Sequence, residues 1–125
     1  MDKQDLIPLT TFLSQIPGLT VASFDVESSN FWWIKFSIDT ESRFAWNVVQ
    51  ELGFVLNYLS VEERLPTIFM PVSPPPYLNG GPKEFLSWVI ETTMSNVNPA
   101  DIARILEDRL PKPVDDLSQW GDEQE

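Results

Sequence analysis

Apolar and polar residues follow two different periodicities in the first part of this chain, one typical of a helix and one typical of strands. A helix is predicted over Pro8–Ile16, where apolar side chains recur every three to four residues and the Pro17-Gly18 pair ends the pattern. Two strands are predicted over Val21–Glu27 and Phe31–Ile38, because both are rich in β-branched and aromatic residues and flank the polar turn Ser28–Asn30. The chain is therefore expected to begin with a helix followed by a β-hairpin.

This hairpin is predicted to have two chemically different faces. The apolar residues of its second strand that we assign to the core are Trp32, Ile34, Phe36 and Ile38. The residues that we expect on the opposite face are Asp25, Glu27, Phe31, Trp33 and Lys35. The favoured arrangement covers Phe31 and Trp33 with the first or last helix. If these rings are uncovered, they form an apolar patch with an acidic rim.

The middle of the chain predicts a long helix and a third strand. The helix is expected from Glu41 to about Leu59, with Thr40 as its N-cap. Its predicted buried residues are Phe44, Val48, Leu52, Val55, Leu56 and Leu59. Gly53 lies within this helix, and we expect it to mark a close contact with the sheet. The segment Pro66–Val72 is predicted to be an edge strand, because Pro71 interrupts its hydrogen bonding.

The last part of the chain predicts a fourth strand and a final helix. Residues 84–92 fit a helix or a strand by spacing, and their Trp, Val, Ile and Thr content favours a strand. Asn98 and Pro99 are typical of a helix start, and the helical pattern runs to Pro111. Residues 111–125 are predicted to be an acidic flexible tail, with docking of Trp120 as the alternative. The prediction is one α+β domain over 1–110, in the order α-ββ-α-ββ-α, with a small antiparallel or mixed sheet.

The charge of the chain narrows the classes of partner. Asp and Glu outnumber Lys and Arg by 19 to 8, which gives a net charge of −11. Such a chain is repelled by nucleic acid and by anionic membranes and is attracted to basic proteins, or its acidity serves only to prevent aggregation. The absence of cysteine fits a reducing compartment, and neither a signal peptide nor a membrane-spanning run is visible. We therefore expect a cytoplasmic protein.

The chain contains few of the residue types that usually carry out catalysis. The chain has no histidine and no cysteine, so it has neither an imidazole base nor a thiolate, and its glycines form no phosphate-binding pattern. Carboxylate pairs that would suit a metal-dependent hydrolase are Asp25 with Glu27, Glu62 with Glu63, and Asp115 with Asp116. In so acidic a chain such pairs arise by chance. The favoured interpretation is a protein that is not an enzyme and that has no cofactor or metal, and the hydrolase is kept as an alternative.

A proline-rich segment occupies the centre of the chain. The residues MPVSPPPYLNGGPKEF, 70–85, contain Pro74–Tyr77, which matches the PPxY pattern of ligands for WW domains. Consecutive prolines form a polyproline II helix at little entropic cost, so an adaptor that presents this segment is one hypothesis. The favoured interpretation is a stiff connection between two strands. Tyr77 then packs on the domain or projects as a contact.

A small, acidic, cysteine-free α+β domain without catalytic groups resembles the immunity proteins of bacterial polymorphic toxins, including those of contact-dependent growth inhibition. The stretch FMPVSPPPYLNGGPKEFLSWVIE, 69–91, carries this resemblance. The resemblance implies a protein that binds a cognate toxin domain, often a basic nuclease, inside the cell that produces it. The residues that we expect to contact such a partner are Asp25, Glu27, Glu62 and Glu63 as charges and Trp33 and Tyr77 as aromatic anchors.

Overall fold

A computed structural model describes residues 1–59, 62–72 and 87–121. In chain order the helices and strands are α1 (Ile7–Leu13), β1 (Leu19–Val26), β2 (Trp32–Ile38), α2 (Ala45–Asn57), β3 (Thr67–Val72), β4 (Ser87–Thr92) and α3 (Pro99–Arg109). A 3₁₀ turn at Lys3–Leu6 leads into α1, and another at Leu117–Trp120 follows α3. The predicted α+β class and the order α-ββ-α-ββ-α are confirmed. The strand predicted over 84–92 is confirmed from Ser87 to Thr92, and residues 84–86 lie outside the described residues.

The four strands form one antiparallel sheet in the order β1-β2-β4-β3. The hairpin between β1 and β2 closes where the Glu27 N–H donates to the Phe31 carbonyl at 2.7 Å, and Asn30 adopts the left-handed φ of 65° that such turns favour. β4 then pairs with β2, and β3 pairs with the free side of β4. The central pair β2 and β4 is thereby flanked by two edge strands.

The core lies between one face of this sheet and the helices. The four predicted core residues of β2 are all buried: Trp32, Ile34, Phe36 and Ile38. They share one apolar cluster with buried side chains of all three helices, and the ring of Phe69 stacks between those of Phe36 and Trp88. The expectation that a helix covers the other face of the hairpin is wrong. Trp33 is half-buried and Phe31 exposed, because the described helices all bury their apolar stripes on the side of Trp32.

Helix α2 begins four residues later than predicted, at Ala45 instead of Glu41. The side chain of Asp39 accepts a hydrogen bond from the Glu41 N–H at 3.0 Å, and its carbonyl accepts from the Ser42 N–H at 3.0 Å. These bonds hold a local turn that competes with the helix, so Thr40 is not the N-cap. The predicted buried stripe is confirmed except at Phe44, which precedes the helix and is half-buried.

Gly53 faces the sheet as predicted, but its contact does not require glycine. A Cβ atom added at Gly53 would lie 3.7 Å from the ring of Phe69, which is an ordinary van der Waals distance. The backbone approach is therefore not close enough to exclude alanine.

Both sheet edges are partly closed by side chains. On the edge strand β3, the Asn57 amide accepts from the Phe69 N–H at 2.7 Å and donates to the Phe69 carbonyl at 3.1 Å. Pro71, two residues along, has no N–H to offer. On β1 the carboxylate of Asp25 accepts from the Val26 N–H at 2.8 Å. The middle of β3 therefore lacks the free backbone groups to which another strand would add, whereas on β1 the occupied group belongs to the last residue of the strand.

Removal of the Asn57 side chain should destabilise the domain. Asn57→Ala leaves both Phe69 backbone groups without their partner, so we expect a loss of about 1–3 kcal/mol in the free energy of unfolding. Urea denaturation followed by circular dichroism measures it. The matched control is Asn47→Ala on the same helix, whose side chain makes no hydrogen bond in the described residues, and its effect should stay within about 0.5 kcal/mol. Equal effects at the two positions would contradict the role of Asn57.

Residues that follow α3 also contact the core. Trp120 is only 2 % exposed, and its indole N–H donates to the Val114 carbonyl at 3.0 Å. Gly121 packs on the ring of Phe44 so closely that an added Cβ atom would lie 2.7 Å from it. The side chain and backbone N–H of Ser118 both donate to Asp116, which lowers the pKa of that exposed carboxyl. Trp120 therefore docks on the domain, which was the alternative given for this segment; residues 122–125 lie outside the described residues.

No helix in the described part of the chain has both the length and the apolar character needed to cross a bilayer.

Candidate functional site

The sheet face opposite the helices is the candidate site, and we call it the outer face. Its strand residues are Asp25, Trp33, Lys35, Ile68, Met70, Val89 and Glu91, and Glu27, the residue after β1, joins them by accepting a hydrogen bond from Trp33. They share this face because side chains alternate along each strand and the register sets which of them are neighbours. Trp33 lies opposite Asp25 on one side and opposite Glu91 on the other, and Ile68 continues that row beyond Glu91.

Three carboxylates surround the indole of Trp33. Its N–H donates to Glu27 Oε2 at 3.0 Å, which fixes the ring against the end of β1. Asp25 and Glu91 are its direct neighbours on the two adjacent strands, where Cβ atoms are typically about 4.5–5.5 Å apart. The exposed Asp25, Glu27 and Glu91 side chains leave a half-buried aromatic ring in a strongly negative setting.

The other half of the outer face is apolar. Ile68 and Met70 of β3 are 40 % and 36 % exposed, and Val89 is buried between Lys35 and Met70. A shallow cavity of about 340 Å³ joins the two halves, and its lining residues are Glu27, Trp33, Lys35, Val72, Val89 and Glu91. An aromatic and apolar centre with a charged rim is the usual composition of a protein-binding surface.

A larger cavity, of about 670 Å³, lies between α1, α3 and the C-terminal segment. Its charged lining residues are Arg104, Glu107, Asp108, Lys112 and Asp115. Arg104 is already paired with Asp101, and Lys112 lies 4.0 Å from Asp108. Because opposite charges offset one another there, this cavity has no distinct preference for a partner of either sign, and we do not assign the function to it.

The structure brings together three of the predicted contact residues. Asp25, Glu27 and Trp33 meet on the outer face, as predicted from the hairpin. Glu62 and Glu63 are exposed on the connection between α2 and β3 and belong to none of the strands of the outer face. Tyr77 and the whole segment Pro74–Tyr77 lie outside the described residues, so the adaptor hypothesis stays a prediction.

Sequence reasoning missed three exposed residues of the outer face, Glu91, Ile68 and Met70, and also the buried Val89. Their alternation with buried neighbours is visible in SWVIET and TIFMPV, the two strands that carry them. The sequence does not reveal that β4 pairs with β2. This pairing places Glu91 beside Trp33. That neighbour relation follows from long-range packing and not from local pattern.

The outer face presents carboxylates whose positions are fixed by hydrogen bonds. No group of three or more acidic side chains within the described ranges is arranged to hold a metal ion. One oxygen of Asp25 accepts from the Val26 N–H of its own strand, and one oxygen of Glu27 accepts from the Trp33 indole on the neighbouring strand β2, so both carboxylates are oriented by hydrogen bonds. Oriented carboxylates around an aromatic ring are suited to lysine and arginine side chains, which interact with the charges and with the ring face.

Comparisons with known proteins identify no relative from which a function could be inferred. No protein-family model matches the chain, and searches of curated proteins and of solved structures find no match.

Proposed function

We propose that this protein is a bacterial immunity protein that binds and neutralises a cognate toxin domain, a basic protein of nuclease type, in the cytoplasm of the cell that produces the toxin. The observation that carries the proposal is the carboxylate-surrounded Trp33 on a sheet face that no described helix covers. The resemblance of residues 69–91 to immunity proteins of contact-dependent growth inhibition supports it. The net charge of −11 supports a basic partner.

Charge would act first, on the rate of encounter. A chain of net charge −11 attracts a cationic protein over distances comparable to the Debye length, about 8 Å at physiological salt and about 30 Å at 0.01 M. Such steering raises association rates well above those of uncharged pairs. Asp25, Glu27 and Glu91 then concentrate negative charge on one face, which orients the partner.

Trp33 would act second, on the lifetime of the complex. Tryptophan is one of the residues that contribute most to binding when a partner excludes water from around it. The hydrogen bond to Glu27 already restricts this side chain, so less conformational freedom is lost on binding. A nuclease holds phosphates with lysine and arginine side chains. The carboxylates of the outer face would satisfy the same cations and thereby compete with its substrate.

The proposal is tested with the protein that is captured by the tagged chain from its own host. The captured protein should be basic, should arrest growth when it is produced alone, and should lose that effect when this chain is produced with it. A captured protein that is harmless alone, or whose toxicity persists in the presence of this chain, would contradict the proposed function.

The outer face is tested by charge reversal. Asp25→Lys with Glu27→Lys should weaken the complex about a hundredfold at low salt and less at high salt, because the interaction is screened. Isothermal titration calorimetry at two salt concentrations measures the change. The matched control is Glu107→Lys with Asp115→Lys, which alters the net charge equally at two exposed sites away from the outer face. If both double variants lose affinity to the same extent, the effect is due to net charge and the outer face is not the binding site.

A further inference from the structure

Among the strand residues that form the outer face, Lys35 is the only basic one. It lies on β2, two residues along from Trp33, and its direct neighbours are Ser23 of β1 and Val89 of β4. The side chain is half-buried and forms no ion pair with any residue that the structure describes. A cation that is partly removed from water and left unpaired is an open charge on this surface.

The three carboxylates of the outer face do not neutralise this cation. Glu27 accepts its hydrogen bond from the Trp33 indole, and Asp25 accepts from a backbone N–H of its own strand. Glu91 lies on β4 opposite Trp33, and its exposed side chain has no hydrogen bond or ion pair within the described part of the chain. The outer face therefore presents an open positive charge and an open negative charge close to each other.

The register of the sheet sets the distance between these two open charges. Lys35 and Glu91 belong to adjacent strands and are diagonal neighbours, because Lys35 pairs with Val89 and Glu91 pairs with Trp33. Diagonal neighbours on one face of a sheet are typically about 7–8 Å apart. A partner that meets both must carry a cation and a carboxylate at a comparable distance, which two side chains three or four residues apart on one helix provide.

We propose that Lys35 sets the register of the partner on the outer face by pairing with an acidic side chain of that partner. The cationic side chains of the partner then lie in the neighbouring row, over Trp33 and beside Glu91. A partner segment shifted along the strands would bring one of its cations onto Lys35 and is rejected, because like charges in an interface repel strongly. This inference rests on the proposed function, since it specifies the partner of that same site as a basic protein whose contact surface also carries an acid.

Lys35→Glu is the decisive variant, because net charge and register predict opposite effects. The substitution makes the chain more acidic by two charges, so its long-range attraction to a basic partner increases. If Lys35 pairs with an acid of the partner, the variant brings two carboxylates together, and the affinity should fall about a hundredfold. Isothermal titration calorimetry measures the direction of the change with the basic protein that the tagged chain captures from its host.

Two further variants separate the register from net charge and from folding. Lys112→Glu alters the net charge equally at an exposed side chain beyond α3, so the affinity should stay unchanged or rise up to about threefold. Lys35→Met keeps an aliphatic side chain without the charge and should weaken the complex about tenfold. Circular dichroism checks that both Lys35 variants are folded.

A decalysine peptide is a cationic probe that carries no acidic side chain. It should bind the Lys35→Glu variant severalfold more tightly than the unaltered chain at low salt, because the substitution removes only a repulsion. The captured protein should respond in the opposite direction to the same substitution.

The outcomes of these measurements are distinct. A Lys35→Glu variant that binds the captured protein as tightly as the unaltered chain does, or more tightly, would overturn the inference. An equal loss of affinity from Lys112→Glu would overturn it as well. The toxicity of the captured protein does not enter these measurements, so a harmless partner overturns the proposed function alone. Capture of no basic protein by the tagged chain would overturn both.

Discussion

Truncation of Trp32 to alanine should destabilise the protein by about 3–5 kcal/mol, a large share of the about 5–15 kcal/mol that stabilises a typical domain. The side chain is 1 % exposed and is among the largest fully buried groups of the described chain. Its indole N–H donates to the Val97 carbonyl at 2.7 Å, which ties β2 to the segment before α3. Alanine leaves a cavity and also an unpaired buried carbonyl, and the two losses add.

The neighbouring tryptophan provides the control for this prediction. Trp33 differs from Trp32 by one position in sequence and by the face of the sheet, so Trp33→Ala should cost about 1 kcal/mol or less. Urea denaturation of both variants compares the two losses directly. Similar losses would mean that the outer face is packed in solution, contrary to the structure.

Trp33→Ala should instead weaken the complex with the cognate partner about a hundredfold, which is the loss expected from removing an aromatic anchor. The effect should appear mainly as faster dissociation, because a side chain that contacts the partner after docking changes the lifetime of the complex and not the encounter. Surface plasmon resonance at low and high salt separates this loss from that of the charge-reversed variant. The loss from Trp33→Ala should persist at high salt, since burial of the ring does not depend on screening.

Trp46→Ala is the matched substitution for this second prediction. It removes a second exposed tryptophan, from helix α2, and leaves every outer-face residue in place. Affinity for the partner should be unchanged. If Trp46→Ala weakens the complex and Trp33→Ala does not, the partner binds the helical side of the domain, and the proposed site is wrong.

Local patterns were sufficient to predict most of the fold. The alternation through β2 fixed which side chains are buried, because a strand has no other way to place four apolar residues. The Asn98-Pro99 start of α3 was equally reliable, and the Asn98 side chain does accept the Ala100 N–H at 3.0 Å. These features depend on residues within one or two turns of each other.

Two features depend on contacts between distant parts of the chain and not on local pattern. Trp120 is buried only because α3 and the following residues bring it back to the domain, where Gly121 meets Phe44. The start of α2 depends on how Asp39 is held at the end of β2, where its N–H donates to the Gly18 carbonyl at 2.8 Å. From composition and local pattern, residues 111–121 were predicted to be a charged tail, and the helix α2 was predicted to begin at Glu41.

The part of the candidate site that belongs to the β1–β2 hairpin was predicted from the sequence. Asp25, Glu27 and Trp33 lie in adjacent strands joined by a short turn, so their proximity follows from the sequence. Glu91 belongs to the same site through the pairing of β4 with β2 and was not predictable. Glu62 and Glu63 were chosen for their charge, and charge does not determine position.

The occupied edge of β3 also bears on how this protein would form fibrils. Fibrils grow when chains add strand by strand to exposed backbone groups. In the native domain the middle of β3 is occupied by the Asn57 amide. Two native molecules that collide therefore offer each other no continuous template along β3. Fibril growth through β3 must wait for α2 to separate from that strand, so its rate is governed by how often that contact opens and not by how often molecules meet.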